Sequence, residues 1–399
     1  MIYRRFGRSE IQIPVFSCGG MRYQHTWKRE DNFKNIPKEN QHNLEKIIHH
    51  AFENGINHIE TARGYGTSEL QLGKILPKLP REKLIIQTKI APEENPADFL
   101  KNFEDSLAKL QLDYVDLLAL HGINTPELLD LVIRPGGCME IAQQLRREGR
   151  IRHIGFSTHA PLAVIQQAIR TGEFDYVNLH WYWINQSNRP AIDDAVAQDM
   201  GIFIISPSDK GGKLYAPPEK LKSLCSPLSP IIFNDLFCLL HPEIHTLSIG
   251  AARPEDFDEH LQAAELLTDQ KTARQTVEKI ILRLENALRE RLGNEWYEHW
   301  QDEIPDAAQL PGEINVWEIL RLLNFAKGLD MLEFGKMRYN LLGNGGHWFP
   351  GKNAANFDEP ALLKALKNSP FKERIPGLLR EAHNLLFEAQ KKRLSESRE

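Results

Sequence analysis

The chain has 399 residues, of which 41% are hydrophobic and 26% charged; this length predicts one large domain followed by a smaller one. The formal net charge of −5 leaves no surplus of positive charge for a phosphate backbone, so a nucleic-acid partner is not expected. No apolar run reaches the roughly 20 residues of a membrane helix, and the N-terminal segment has no apolar signal core. We therefore expect a cytoplasmic protein without a membrane partner.

Short β-branched runs alternate with amphipathic stretches along the first two thirds of the chain, a pattern typical of βα units around a parallel sheet. The predicted strands are Val15–Ser17, His58–Glu60, Leu84–Lys89, Val115–Leu120, His153–Ser157, Tyr176–Leu179, Ile202–Ser206 and Thr246–Ile249. The predicted helices are Gln41–Asn54, Ser68–Leu76, Ala97–Leu110, Met139–Glu148, Leu162–Thr171, Ile192–Gln198 and Glu255–Leu267. Eight strands in roughly 250 residues predict a (β/α)8 TIM barrel, and no GxGxxG motif follows the first strand to favour a doubly wound sheet.

Two further segments complete the predicted architecture. Tyr3–Pro14 predicts a hairpin that closes the bottom of the barrel, with Gly7 in its turn. After about Thr268 the strand signal ends, and amphipathic helices such as Ala273–Leu292 predict a helical C-terminal domain. The predicted domains are therefore the barrel over 1–267, the helical domain over 268–390, and a charged tail over 391–399.

Reactive side chains follow neighbouring strands of the predicted barrel. Glu60 and Lys89 end the second and third predicted strands, His121 directly follows the fourth, and Tyr65 lies in the loop after the second. Because the carboxyl ends of barrel strands share one rim, these four side chains are expected to converge there. Each alone is more often a solvated or structural residue, but the four together form a specific pattern.

The sequence around these four residues resembles the aldo-keto reductase family. The resemblance is carried by His58-Ile-Glu-Thr-Ala-Arg-Gly-Tyr-Gly-Thr-Ser-Glu69, by Ile85-Ile-Gln-Thr-Lys89 and by Asp113-Tyr-Val-Asp-Leu-Leu-Ala-Leu-His121, and it extends over roughly Tyr3 to Leu267. It implies a nicotinamide-dependent carbonyl reductase with a carboxylate, tyrosine, lysine and histidine tetrad. The family usually carries Asp where this chain has Glu60, so the carboxylate here is one methylene longer.

The chemistry of carbonyl reduction gives each of the four residues a role. The carbonyl oxygen gains negative charge as hydride arrives, so the site needs a proton donor and hydrogen-bond donors to stabilise that charge. Tyr65 is the expected acid, and the Lys89 ammonium is expected to lower the pKa of its phenol. Glu60 would keep Lys89 charged, and His121 would donate a hydrogen bond to the oxygen. No metal is required.

The resemblance also implies a set of cofactor contacts along the rim. The residues assigned to the cofactor are Ser157, Thr158, Asn178, Tyr182, Ser206, Lys210, Gly211, Gly212, Gly250, Arg253 and Glu259. Ser157, Thr158 and Asn178 would bind the nicotinamide carboxamide, whereas the loop from Ser206 to Lys213 would cover the pyrophosphate. Within His180-Trp-Tyr-Trp183, Tyr182 is the expected stacking residue. Trp181 or Trp183 would either face the substrate or pack in the core, and both alternatives remain.

The adenosine end of the expected cofactor site departs from the family pattern. The basic contact to the ribose 2′-phosphate aligns with Asp256 and the adenine contact with His260, so Arg253 is the alternative phosphate ligand. NADP is favoured by the resemblance, and NAD is not excluded.

The C-terminal helices resemble a bacterial ferredoxin-like domain found in some relatives of the family. The similar segments are Ile314–Ala326 and Ile375–Leu386, but no cysteine follows Cys238. Iron–sulfur clusters need thiolate ligands, so we expect a domain without clusters that serves packing, pocket closure or contact with a protein partner. The loop Gly343–Pro350 is interpreted as structural.

Two alternatives to a carbonyl reductase remain. A regulatory or redox-sensing module that binds nicotinamide with little turnover is suggested by Glu60 and by the atypical adenosine end. A protein-interaction scaffold built on the helical domain is suggested by the missing clusters.

Overall fold

A computed structural model describes residues 1–388, which form two compact units. The first unit contains Met1–Gly211 and Asn234–Arg274, and the second contains Gly212–Phe233 and residues 275–388. The second unit therefore takes in a segment between the last two barrel strands, where no clear helix was predicted. The predicted charged tail over 391–399 lies outside the described residues.

The strands of the first unit are β1 (Tyr3–Arg5), β2 (Gln12–Pro14), β3 (Phe16–Gly19), β4 (His58–Glu60), β5 (Ile85–Ile90), β6 (Val115–His121), β7 (Ile151–Ser157), β8 (Tyr176–Leu179), β9 (Gly201–Ile204) and β10 (Thr246–Ile249). Within the described residues, eight of them close a parallel barrel in the order β10, β3, β4, β5, β6, β7, β8, β9. The predicted (β/α)8 architecture is confirmed. Nearly every residue of these strands is buried, which explains their continuous apolar runs.

The helices are α1 (Lys38–Glu53), α2 (Ser68–Leu72), α3 (Pro96–Leu110), α4 (Pro126–Ile133), α5 (Cys138–Arg147), α6 (Leu162–Arg170), α7 (Arg189–Ala197), α8 (Glu219–Cys225), α9 (Pro230–Leu239), α10 (Asp258–Leu266), α11 (Gln270–Leu292), α12 (Asn294–His299), α13 (Val316–Gly328), α14 (Leu332–Tyr339), α15 (Glu359–Ala365) and α16 (Ile375–Leu386). Along residues 1–388, no helix has both the length and the apolar character needed to cross a bilayer.

Several element boundaries differ from the prediction for local reasons. The strand predicted over Ile202–Ser206 ends at Ile204, and Ser206 has a φ of 56°, which is incompatible with extended backbone. Helix α4 was not predicted; Thr125 caps its first turn by accepting a hydrogen bond from the Leu128 N–H, and Pro126 begins it. Helix α10 begins at Asp258 because residues Pro254–Phe257 form a separate 3-10 turn.

The N-terminal hairpin lies at the amino-terminal end of the barrel strands, as predicted. Strands β1 and β2 pair antiparallel, and Phe6 between them packs in a buried cluster with barrel residues such as Leu117, Tyr176 and Phe203. Gly7 has a φ of +54°, and a Cβ there would lie 2.4 Å from the Asp199 carbonyl oxygen. Only glycine allows the turn to approach the start of β9 this closely.

In the described part of the second unit the helices are joined by loops, and a single β-bridge pairs Ile314 with Lys352. Its central helix is α13, which packs against α14 and α16 and carries a buried ion pair between Glu318 and Arg321 at 2.7 Å. In the loop predicted to be structural, the Gly343 N–H donates to the Gly351 carbonyl oxygen, and the Arg338 guanidinium lies 4.0 Å from the centroid of the Phe349 ring. The resemblance to a ferredoxin-like domain stays a prediction.

Candidate active site

The four residues predicted for the rim lie at the carboxyl ends of three adjacent strands. Glu60 is the last residue of β4, His121 is the last of β6, and Lys89 is the penultimate residue of β5. Tyr65 lies in the loop between β4 and α2. The Tyr65 ring meets the His121 ring edge-on with 5.7 Å between centroids, and Lys89 Nζ lies 4.9 Å from the Tyr65 ring centroid. The structure therefore brings all four side chains together.

Glu60 and Lys89 form a buried ion pair. Glu60 is 3% exposed and Lys89 is 1% exposed, and the Lys89 ammonium donates directly to Glu60 Oε2. The same ammonium donates to the Thr61 carbonyl oxygen at 2.8 Å. The second carboxylate oxygen, Oε1, accepts a hydrogen bond from Ser248 Oγ at 2.7 Å. Ser248, on the last barrel strand, was not among the predicted site residues; a contact across 188 residues leaves no local signal in the sequence.

Backbone contacts fix the loop that carries Tyr65. The Arg63 N–H donates to the Lys89 carbonyl oxygen at 3.0 Å, and the Thr67 N–H donates to the Thr26 carbonyl oxygen at 3.1 Å. Gly66 has a φ of +52°, and a Cβ there would lie 1.8 Å from the Thr26 carbonyl oxygen. A glycine is therefore required directly after Tyr65.

Burial and the charge of a neighbouring group shift the pKa of Tyr65, and likewise that of Lys89, in opposite directions. Burial raises the pKa of the Tyr65 phenol, and the opposing effect of the Lys89 ammonium is smaller. The expectation of a lowered Tyr65 pKa is therefore wrong for the free protein, and the phenol is protonated at neutral pH. Burial alone would lower the pKa of Lys89, but the Glu60 charge and interactions with Tyr65 raise it.

The predicted carboxamide contacts lie at the ends of β7 and β8. Ser157 and Asn178 are paired in register across these strands. Asn178 is fully buried, and neither its Oδ1 nor its Nδ2 has a hydrogen-bond partner. The Thr158 hydroxyl donates to the Ile123 carbonyl oxygen at 2.7 Å and accepts from the Ala160 N–H. Asn178 is therefore the residue of this group that offers an unsatisfied donor and acceptor.

A basic cluster that was not predicted as a unit lies on the rim beside these residues. The rings of His159 and His180 stack with 4.7 Å between centroids, and Lys210 Nζ lies 3.4 Å from a ring nitrogen of each. His180 also contacts the Tyr182 hydroxyl at 2.5 Å. The three basic residues come from different βα loops, and their proximity follows from the closed barrel.

The predicted pyrophosphate loop is divided between the two units. In the first unit, Ser206 has a φ of 56°, and a Cβ on Gly211 would lie 1.8 Å from the Pro207 carbonyl oxygen. Gly212 belongs to the second unit and has a φ of +135°. Lys213, also in the second unit, lies 3.9 Å from a carboxylate oxygen of Glu333.

At the predicted adenosine end, His260 and Arg253 lie in different environments, although the resemblance assigned both to the cofactor. His260 is buried and its Nδ1 bonds Asp235 Oδ2 at 2.5 Å, so it packs inside the barrel unit rather than facing a ligand. Arg253 is exposed and forms an ion pair with Asp256 at 3.0 Å. Glu259 lies in the first turn of α10, and Gly250 directly follows β10.

The aromatic run after β8 is mainly core. Trp181 is 1% exposed and stacks on Phe237 with 4.9 Å between ring centroids. Tyr182 is also 1% exposed, and its hydroxyl donates to the Ile205 carbonyl oxygen. This placement suits packing under the rim rather than the open ring face expected of a stacking residue.

The fold and the rim define a (β/α)8 barrel in which a buried carboxylate and ammonium pair lies beside a phenol and an imidazole. A model described as the Aldo/keto reductase family matches residues 17–207, from β3 to just beyond β9. The match confirms the resemblance for this part of the barrel.

Individual relatives share part of the chain. The sequence is 27% identical over 190 residues to "Probable aldo-keto reductase 1" of Glycine max, covering 44% of this chain and 53% of the relative. It is 37% identical over 126 residues to "L-galactose dehydrogenase" of Arabidopsis thaliana, covering 29% and 38%. The chain thus spans about half or less of the length of these curated relatives.

Solved structures support the fold. An aldo-keto reductase from Bacillus halodurans in its holo form is similar with a TM-score of 0.58 and 23% identity, over 70% of this chain and 96% of that chain. An aldo-keto reductase from Klebsiella pneumoniae in complex with NADPH is similar with a TM-score of 0.53 and 18% identity, over 68% and 94%.

Proposed function

We propose that this protein reduces an aldehyde or ketone with hydride from a reduced nicotinamide cofactor. The observation that carries the proposal is the buried Glu60 and Lys89 ion pair in contact with Tyr65 and beside His121. Burying such a pair costs free energy that only close geometry and further hydrogen bonds offset. Perturbed ionisable groups at a barrel rim are typical of catalytic sites.

The residues at the rim fit a nicotinamide. The carboxamide of that ring has one donor group and one acceptor, which complement the unsatisfied Oδ1 and Nδ2 of buried Asn178. Ser157 lies beside Asn178 in register. When bound, the nicotinamide would supply the hydride. Eight further residues stay predicted cofactor contacts: Thr158, Ser206, Lys210, Gly211, Gly212, Gly250, Arg253 and Glu259. Tyr182 is not proposed as the stacking residue, because its ring is buried under the rim.

In the proposed reaction, Tyr65 donates its phenolic proton to the carbonyl oxygen. Lys89 stabilises the phenolate that results, and Glu60 keeps Lys89 charged and oriented. His121 donates a hydrogen bond to the same oxygen, which orients the carbonyl and stabilises its developing charge. The raised pKa of Tyr65 keeps the acid protonated before the carbonyl arrives.

NADPH is the first candidate cofactor and NADH the second. The similarity to a structure that contains NADPH supports NADPH. Against it, Arg253 is already paired with Asp256, so a ribose 2′-phosphate would have to compete with that carboxylate. Titrating the protein with NADPH and with NADH, followed by tryptophan fluorescence, compares the two affinities. No quenching by millimolar concentrations of either cofactor would contradict the proposed binding.

Turnover is tested by following absorbance of the reduced cofactor with a panel of aldehydes and ketones. We expect consumption by the unaltered protein and a loss of at least about 100-fold in Tyr65→Phe, because only the proton donor is removed. Tyr114→Phe is the matched control, since it removes a phenolic hydroxyl that accepts a hydrogen bond from Arg152 at 3.2 Å, just before β6 begins. Equal rates in the two variants would contradict the role of Tyr65. Tight cofactor binding without turnover across the panel would instead support the nicotinamide-binding regulatory module.

A further inference from the structure

Glu60 is held on both sides, and the second contact crosses an intervening strand. Oε2 faces Lys89, whereas Oε1 accepts a hydrogen bond from Ser248 Oγ at 2.7 Å. Ser248 is on β10 and Glu60 on β4, and both strands pair with β3. All three groups are at least nine-tenths buried.

The contact across β3 is possible because Gly19 has no side chain. A Cβ on Gly19 would lie 2.8 Å from Ser248 Oγ and 3.0 Å from Glu60 Oε1. Gly19 is the register partner of Glu60, so the space above its Cα is where the serine hydroxyl and the carboxylate meet.

We propose that Ser248 is a positioning residue for the reaction, holding the longer carboxylate of Glu60 so that its other oxygen stays on Lys89. A glutamate has one more rotatable bond than an aspartate, and a buried ion pair is stable only when its remaining lone pairs are hydrogen-bonded. The serine hydroxyl supplies that bond and restricts the rotation of the carboxylate. This inference rests on the proposed reductase function.

A kinetic comparison separates positioning from cofactor binding. Ser248→Ala is expected to lower kcat by about tenfold, the size of effect expected for a hydrogen bond to a charged group. The dissociation constant of the reduced cofactor is expected to stay within about twofold, since Lys89 and Tyr65 act on the carbonyl and the proton. Ser248→Thr keeps the hydroxyl and is expected to recover most of the lost rate. An unchanged kcat in Ser248→Ala would overturn the proposal.

A double-mutant cycle tests whether Ser248 acts through Glu60. In the Glu60→Asp background the carboxylate is one methylene shorter and no longer reaches across Gly19, so Ser248→Ala is expected to lower kcat by less than about twofold. A full tenfold loss in that background would overturn the proposal, because Ser248 would then act independently of Glu60.

Unfolding of the four proteins of this cycle (unaltered, Ser248→Ala, Glu60→Asp and the double variant) tests the inference independently of the proposed function. The hydrogen bond between Ser248 and Glu60 does not depend on turnover, so urea unfolding should show that Ser248→Ala lowers the midpoint more in the unaltered protein than in the Glu60→Asp background. If the protein has no reductase activity but this coupling is present, the proposed function fails and the positioning of Glu60 stands. Additive unfolding effects would overturn the positioning itself.

Discussion

Lys89 is a buried rim residue whose pKa is set by its surroundings. Its side chain is almost fully buried, and its ammonium bonds Glu60 and the Thr61 carbonyl oxygen. Burial alone would lower its pKa, and the charge of the adjacent Glu60 carboxylate opposes that effect. The charge of the Lys89 ammonium lowers the pKa of the Tyr65 phenol and so partly offsets the rise caused by burial.

Lys89→Met is expected to lower kcat at least about 100-fold, since the phenol loses the cation that stabilises its ionised form. Reduction needs the protonated phenol, so the rate falls as pH rises through the Tyr65 pKa. Without Lys89 that pKa rises further, and the basic limb of the residual activity should move to higher pH. Lys83→Met, at an exposed position just before the same strand, is the control and should keep the rate and pH profile. A basic limb that moves to lower pH in Lys89→Met would contradict this assignment.

At the scale of single residues, the sequence was sufficient to predict the rim residues that lie at strand ends, because ionisable side chains are unusual there. Glu60, Lys89 and His121 were predicted at their strand ends and lie together with Tyr65. Ser248 could not be predicted, because its contact joins strands 188 residues apart and a serine in a strand has no distinctive pattern.

At the scale of elements, the hairpin formed by β1 and β2 closes the end of the barrel opposite the rim. Phe6 is fully buried in the cluster with Leu117, Tyr176 and Phe203, and Ile11 packs against the same cluster. The Arg8 N–H donates to the Asp199 carbonyl oxygen at 2.6 Å, which anchors the turn. This apolar base supports the strands whose other ends carry the rim residues.

Phe6→Ala is expected to lower the free energy of unfolding by about 3 to 5 kcal/mol, because it leaves a cavity in the barrel interior. Ile11→Val removes one methyl group from the same cluster and is expected to cost about 1 kcal/mol. Urea unfolding followed by tryptophan fluorescence measures both values. Cofactor affinity of the folded Phe6→Ala protein should be unchanged, since the hairpin lies at the other end. A smaller loss in Phe6→Ala than in Ile11→Val would refute the packing role of Phe6.

At the scale of the whole molecule, the barrel interior is polar below the rim. His58 is fully buried, with its Nδ1 2.6 Å from Ser17 Oγ, and Ser17 Oγ lies 2.7 Å from Thr246 Oγ1. Burial, with a smaller contribution from the Lys89 charge, lowers the pKa of His58 to about 3. The folded protein therefore keeps this histidine neutral, whereas the unfolded chain protonates it below about pH 6.5.

Acid should therefore destabilise the barrel through His58. Between about pH 6.5 and about 3 the unfolded state binds a proton that the folded state excludes, so stability falls as pH falls. At about pH 5 the loss amounts to about 2 kcal/mol from this residue. The urea midpoint should fall between about pH 7.5 and about 5, and the fall should be smaller in His58→Gln than in His42→Gln, which changes an exposed histidine of α1. Identical pH dependence in the two variants would exclude His58 as the cause.

The sequence alone determined the alternation of strands and helices, because a buried parallel strand and an amphipathic helix each leave a local periodicity. It also determined which strand ends carry ionisable residues, since those positions follow directly from the strand assignments. Closure of the barrel decided which loops meet, and so it alone brought Ser248 to Glu60 and Lys210 to His159 and His180. It also decided the direction of the Tyr65 pKa shift, because burial is a property of the packed molecule and has no signature in the sequence around one tyrosine.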